Sequence, residues 1–340
     1  PCGTLFPYTT LFRSRGAADR GPWYGRAMPP SRRTRRFAFA PVALVALGAL
    51  AFARGAPADR ADAGAAEVPK AVRLLAAGDV QLGRGIGDAI RAARDPRAPF
   101  AAVRWVLRDA DIAVANLESQ LFPWCRPVER GAMRLCADAR AVEGLADAGI
   151  DVVSVANNHA LDHGERALEH SVRLLHHHGV AAAGPGLRPP VIERAGTRFA
   201  FVAFSPVDRI LLPRDLAIAV GAARRRADVV VALVHWGVEY DPAPSERQRR
   251  LARFLAGAGV DVVVGSHPHV VQPVERESGA VVFYSLGNFV FDQQWSAETS
   301  RGALAADGVS AAELARARPL PLRPDPPAFP PLLPRPPLLH

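Results

Sequence analysis

Between residues 71 and 318 the chain alternates short apolar runs of Val, Ile, Leu and Ala with amphipathic stretches of about ten to fifteen residues. That alternation predicts an α/β domain. The apolar runs predict strands at 72–77, 112–115, 152–155, 199–204, 229–234, 262–264 and 281–285. Amphipathic periodicity predicts helices at 99–108, 139–148, 165–178, 216–225 and 245–258. Residues 302–318 read as one or two closing strands.

Five of the strands are followed at once by side chains that bind metals. Asp79 follows RLLAAG, Glu118 follows DIAVANL, Asn158 and His159 follow DVVSVAN, His235 follows DVVVALV, and His267 and His269 follow DVVVGS. In α/β folds, ligands bind in the crevice outside the carboxyl ends of the strands. Taken singly, each residue has an ordinary explanation: an Asp after a strand caps helices and forms turns, and a lone His is often a hydrogen-bonded core group. Together they are the mixture of carboxylate, amide oxygen and imidazole that divalent transition metals favour. His176, His177 and His178 are excluded, because adjacent helical residues point about 100° apart. They suit a helix C-terminus ended by Gly179, and His170 and His340 receive no role either.

The ends of the chain differ from its middle. Residues 1–27 have no steady periodicity and are set outside the fold; Met28 precedes Arg32, Arg33, Arg35 and Arg36 and then seventeen uncharged, mostly apolar residues, 37–53. That layout predicts export, through a cleaved signal ending in Ala51-Phe52-Ala53 or an uncleaved membrane anchor at 28–53. Residues 54–70 read as a linker, 71–318 as the single folded domain, and 319–340, with ten prolines, as an extended tail.

The net charge of +9 is concentrated in the N-terminal arm, because only 31 basic residues face 29 acidic ones after Lys70. A nucleic-acid-binding body would carry its excess on the folded part, so nucleic acid is excluded as a partner. Of the three cysteines, Cys125 and Cys136 either close one small loop or remain thiols; Cys2 lies in the lead segment.

Six motifs then carry a resemblance: GDVQLGR at 78–84, NLES at 116–119, ANNHALDHG at 156–164, HWGVEY at 235–240, GSHPHVVQ at 265–272 and YSLGNFVFDQ at 284–293. In this order they resemble the CapA-type capsule-synthesis proteins of the poly-gamma-glutamate capsule family, which is related to the calcineurin-like metallophosphoesterases. The resemblance implies an α/β fold, a four-layer α-β-β-α sandwich, with a centre for one or two divalent ions (Mn, Zn or Fe). It implies Asp79, Glu118, Asn158, His235, His267 and His269 as metal ligands, with His159 approaching the leaving group. Gln81 departs from the phosphoesterase pattern, which has a histidine there, so one metal position is expected to be short of a ligand.

Around these, Asp162 stands three residues beyond His159, where it either orients the ring or caps the following helix. Arg84, Glu239, Tyr240, Asn288, Asp292 and Gln293 are expected to line the substrate cleft, with Glu239 pairing a substrate amine or Arg84. The resemblance implies a role in capsule polymer synthesis at the cell envelope. Two classes follow: a metal-dependent hydrolase or transferase acting on an anionic polymer or phosphoester, or a non-catalytic subunit that binds, exports or anchors the polymer alongside other capsule-synthesis subunits. A general phosphodiesterase is a third expectation.

Overall fold

The structure, a computed structural model, describes residues 4–9, 71–126, 133–207 and 211–309. The expected signal or anchor, the linker and the Pro-rich tail lie outside the described residues. Among the described residues no helix is long and apolar enough to cross a membrane.

The strands are β1 (Thr4–Thr9), β2 (Val72–Val80), β3 (Ile112–Leu117), β4 (Gln120–Leu121), β5 (Cys136–Ala137), β6 (Val152–Ser154), β7 (Ala181–Ala183), β8 (Val191–Arg194), β9 (Thr197–Phe204), β10 (Val229–His235), β11 (Val262–Ser266), β12 (Val274–Glu277), β13 (Ala280–Phe283), β14 (Asn288–Val290) and β15 (Arg301–Val309). The α-helices are α1 (Arg84–Ala93), α2 (Arg104–Arg108), α3 (Val142–Ala148), α4 (Glu165–His177), α5 (Pro213–Arg224) and α6 (Glu246–Ala258).

One sheet runs β1-β15-β2-β3-β6-β7 with β14 also on β2; the other runs β12-β13-β11-β10-β9-β8. The central strands of both are parallel, and antiparallel β12 and β8 close the edges of the second. Although the lead segment shows no periodicity, its residues Thr4–Thr9 pair antiparallel with β15. β4 and β5 form a separate parallel pair, and Cys125 is disulfide-bonded to Cys136 beside it.

Side-chain alternation explains the layers. Leu74, Ala76, Ile112, Val114 and Val152 of the first sheet pack against Phe199, Phe201, Val231, Leu233 and Val262 of the second in one buried layer. The residues between them point outward: Leu75, Ala77, Ala113, Ala115 and Val153 meet residues of α1 to α4. On the far side Ala200, Val202, Val230, Ala232 and Val263 meet α5 and α6. The molecule is thus a helix–sheet–sheet–helix sandwich, the fold the motifs imply.

This alternation also aims the site. On β3 the inward set Ile112, Val114 continues through Asn116 to Glu118, and on β10 the set Val229, Val231, Leu233 continues to His235. Strict alternation would turn Asp79 away from the interior. A register shift between Ala76 and Asp79 in the β2–β3 pairing reverses this, as a β-bulge does. Gly78 permits it, because a Cβ there would lie 1.9 Å from the Gly287 carbonyl oxygen, while Asp79 N–H donates to that same oxygen at 2.9 Å.

Candidate metal centre

At the C-terminal ends of β2, β3, β6, β10 and β11, the expected ligands converge between the two sheets. Asp79, Glu118 and His235, all buried, bring one ligand atom each within 4.8 Å of one another. Asn158 Oδ1 lies 2.8 Å from His235 Nε2, and Glu118 Oε1 lies 3.4 Å from the same nitrogen. Two oxygens that accept hydrogen bonds therefore face one imidazole nitrogen, which donates or accepts according to the ring's tautomer. His235 Nδ1 sits 2.9 Å from Ser266 Oγ, and in the tautomer that donates Nδ1–H to this hydroxyl the Nε2 lone pair faces the cluster.

The residues fit a divalent cation. Among the described residues, buried Glu118 Oε2 has no hydrogen-bond partner, and burial, then the charge of Asp79, pushes the Glu118 carboxyl well above its usual range. His235 is held well below its ordinary value, first by burial and then by His267, His269 and His159, so it stays neutral and ligand-competent. In His269 burial works downward, but the charges of Glu118 and Asp79 outweigh it and raise the imidazole to about 9. A cation would offset the buried negative charge of Asp79 and Glu118, which contributes to the upward shifts of Glu118 and His269.

Asn116 is the hub that the motif reading quoted in NLES without assigning a role. Its Nδ2 lies 2.8 Å from Asp79 Oδ1, 3.3 Å from Glu118 Oε1 and 3.2 Å from His235 Nδ1. Asn157 supports it: Nδ2 donates to Asn116 Oδ1 at 3.3 Å and to Leu117 O at 2.8 Å, while Oδ1 accepts from His159 N–H at 3.1 Å. The available signal was the strand alternation that puts Asn116 and Glu118 on one face.

His159 stands beside the cluster, with Nε2 3.3 Å from Asn158 Nδ2 and Nδ1 2.8 Å from Asp162 Oδ2. Asp162 thus lies against the His159 ring, and α4 begins after Gly164 with no side-chain cap hydrogen bond. His176 and His177 form the last turn of α4, and Gly179 follows with φ 79°.

The expected cleft residues divide. Arg84 pairs with Asp292 and lies 5.4 Å over the Phe291 ring, and Asp292 also accepts from Gly85 N–H at 3.1 Å. Asn288 and Gln293 are buried: Asn288 Nδ2 donates to Gln293 Oε1 at 3.1 Å and Thr299 O at 3.0 Å, and Oδ1 faces His269 Nδ1 at 2.9 Å. They hold His269 in place. Tyr240 and Trp295 are exposed at the mouth, the former ring 6.2 Å from His269 and 5.9 Å from Trp295, a neighbour the motif reading missed. Gln81 is buried with its amide facing Gly83; oriented to satisfy both groups, it bonds the Gly83 N–H and C=O at 3.1 Å each.

Carboxylates, amides and imidazoles thus gather at the strand ends of a two-sheet sandwich flanked by helices. Residues 73–293 match the family described as "Bacterial capsule synthesis protein PGA_cap". The chain belongs to this bacterial capsule-synthesis family. It is 32% identical over 263 residues to the PGA biosynthesis protein CapA of Bacillus subtilis, a match covering 69% of each chain. Over 245 residues it is 29% identical to the capsule biosynthesis protein CapA of Bacillus anthracis, covering 64% of this chain and 59%, less than two thirds, of that relative. A solved structure of a hypothetical protein from Thermus thermophilus aligns with a TM-score of 0.46 at 21% identity, covering 66% of this chain and 79% of that one.

Proposed function

We propose that this protein is an envelope enzyme of capsule polymer synthesis, acting by metal-assisted hydrolysis or transfer on an anionic polymer of the poly-gamma-glutamate type or on a phosphoester. The observation that carries the reading is the juxtaposition of two things: the Asn158 and Glu118 oxygens facing His235 Nε2, with buried Glu118 Oε2 finding no hydrogen-bond partner among the described residues, and the His159–Asp162 pair beside them. Asp79, Glu118, Asn158 and His235 would hold a divalent cation, with His267 and His269 next to them. When bound, that cation supplies Lewis-acid polarisation of a carbonyl or phosphoryl oxygen.

This chain's own residues do the rest. Asp162 accepts from Nδ1–H of His159 and so orients the ring; the doubly protonated imidazole would then give its Nε2 proton to a leaving group and end as the neutral Nδ1–H tautomer. Asn157 fixes the backbone of His159 through its N–H. Tyr240 and Trp295 present exposed aromatic surface at the entrance for substrate contact. Export is supported by the Cys125–Cys136 disulfide, a bond that persists in oxidising compartments.

The test is metal content and turnover of the purified full chain with manganese, using a γ-glutamyl polymer and a nitrophenyl phosphodiester. The expected result is stoichiometric metal, with turnover on one substrate class lost in His159→Ala. Polymer binding without stoichiometric metal or turnover overturns the enzyme reading in favour of a non-catalytic capsule subunit.

A further inference from the structure

A second group of metal-binding side chains adjoins the first and contains a residue that the motif reading assigned to substrate. Glu239, His267 and His269 each bring a ligand atom within 4.8 Å of the others. Asp79 borders both groups: its Oδ2 is 3.3 Å from His269 Nδ1 and accepts from His267 N–H at 3.2 Å. We infer that Glu239 is a metal ligand that completes a second cation position with His267 and His269, supplying the ligand that residue 81 does not. The inference rests on the metal-centre reading above and adds to it an ion site and its carboxylate.

Three observations support it. Gln81 is spent on the Gly83 turn, so its amide does not serve the centre. The tautomer of His269 is set from outside: Asn288 Nδ2 donates to Gln293 and Thr299, which orients Asn288 Oδ1 toward His269 and makes Nδ1 the donor. In the neutral ring Nε2 is then the lone-pair atom, the arrangement in which a neighbouring amide positions a metal-binding imidazole. Backbone strain also gathers here. Tyr240, His267 and His269 have φ of 66°, 96° and 58°, a left-handed region costly for bulky residues. Tyr240 N–H donates to Pro268 O at 2.8 Å, which locks the Glu239 loop against the loop carrying both histidines.

Two imidazoles and a carboxylate form a set suited to Zn²⁺, Mn²⁺ or Fe²⁺ rather than to Mg²⁺ or Ca²⁺, which prefer all-oxygen shells.

The experiment titrates the chelator-stripped full chain with Zn²⁺ alone, by calorimetry and by elemental analysis after desalting. Wild type should take up two ions per chain. Glu239→Gln should retain one and bind the other at least about tenfold more weakly, whereas Asn158→Ala should weaken the ion that Glu239→Gln leaves in place. Glu239 is only half-buried, so its variant should fold, and apo thermal unfolding coincident with wild type checks this. Two ions bound by Glu239→Gln as tightly as by wild type would overturn the inference. A single wild-type ion, retained in Glu239→Gln and lost in Asn158→Ala, overturns it while leaving the metal centre standing. No stoichiometric ion in wild type overturns both.

Discussion

His159 Nδ1 lies 2.8 Å from Asp162 Oδ2, and the same carboxylate oxygen accepts from Leu135 N–H at 2.6 Å. Asp162 is therefore held by the backbone of a separate segment while it orients the imidazole. Replacing His159 with Ala should lower turnover by about 10²–10⁴-fold, the usual share of a general acid. Asp162→Asn should also lower it, because an asparagine amide can present N–H to Nδ1 and select the opposite tautomer. Metal content should be unchanged in both. Equal turnover in wild type and His159→Ala would remove the proton-transfer role.

Glu118 links stability to function in opposite directions. Its carboxyl is buried, faces Asp79 across Asn116, and has one oxygen without a hydrogen-bond partner among the described residues. In the metal-free protein Glu118→Gln removes like-charge repulsion while its amide oxygen still accepts from Asn116, so the apo melting temperature should rise by about 2 °C or more. The melting-temperature gain on adding Mn²⁺ or Zn²⁺ should shrink or vanish in the same variant. Differential scanning fluorimetry with and without metal checks both halves, and an apo protein destabilised by the substitution would contradict the charge argument.

The buried parallel strands were legible because strands covered on both faces read as continuous apolar runs, and each ligand that follows such a run was legible with them. Other elements lacked a local signal. Helix α1 has the sequence RGIGDAIRAA, with two glycines and an N-cap glycine that supplies no side chain. Strand β7 is three alanines, residues of weak strand preference, and owes its extension to pairing with β6. The inward turn of Asp79 needs a bulge that no residue pattern announces. Glu239 sits beside His267 and His269 only because Gly237, at φ 93°, turns the chain and Tyr240 bonds Pro268, both of which are long-range consequences of packing. Nothing in HWGVEY alone separates a substrate contact from a ligand.

Two glycines hold strands at distances that no side chain allows. A Cβ at Gly78 would meet Gly287 O at 1.9 Å, and one at Gly265 would meet Tyr284 O at 2.0 Å and Trp236 Nε1 at 2.5 Å. The second contact breaks into the hydrogen bond from buried Trp236 to Tyr284 O at 2.8 Å. Gly78→Ala and Gly265→Ala should each cost about 1–3 kcal/mol or more by overpacking. Because Gly78 precedes Asp79, its variant should also lose metal. Urea midpoints shifted by less than the error of the measurement would show that the strands can separate cheaply.

The disulfide closes a short loop, with Cys125 and Cys136 separated by 11 positions in sequence. Cys136 packs with Phe122 and Ala167 in a small cluster under that loop. For a loop of this size chain entropy gives a stabilisation of about 3 kcal/mol. Reduction, or paired Cys125→Ala and Cys136→Ala substitution, should lower the urea-derived stability by about 2–3 kcal/mol while leaving the metal-induced thermal shift in place, since neither sulfur adjoins the metal ligands. A loss of metal binding on reduction would tie the loop to the centre.

Asp151, just before β6, supplies a pH signature independent of the metal site. Burial raises its carboxyl above the ordinary 3.8, with the Ala113 N–H bond and Arg194 only partly offsetting the effect. Oδ2 accepts from Ala113 N–H at 2.8 Å, and Oδ1 lies 3.4 Å from Arg194. The folded state therefore holds this proton more tightly than the unfolded chain. Between pH 3.8 and the raised folded value it binds more protons, so this group's contribution to stability falls as pH rises through that window and is flat above it. Asp151→Asn keeps an acceptor for Ala113 N–H and removes the titration. The stability of wild type minus variant, from urea unfolding across a pH series, should decline with increasing pH over that interval and then level off. A difference that rises with pH there would mean the carboxylate is stabilised in the fold by its partners more than burial opposes it.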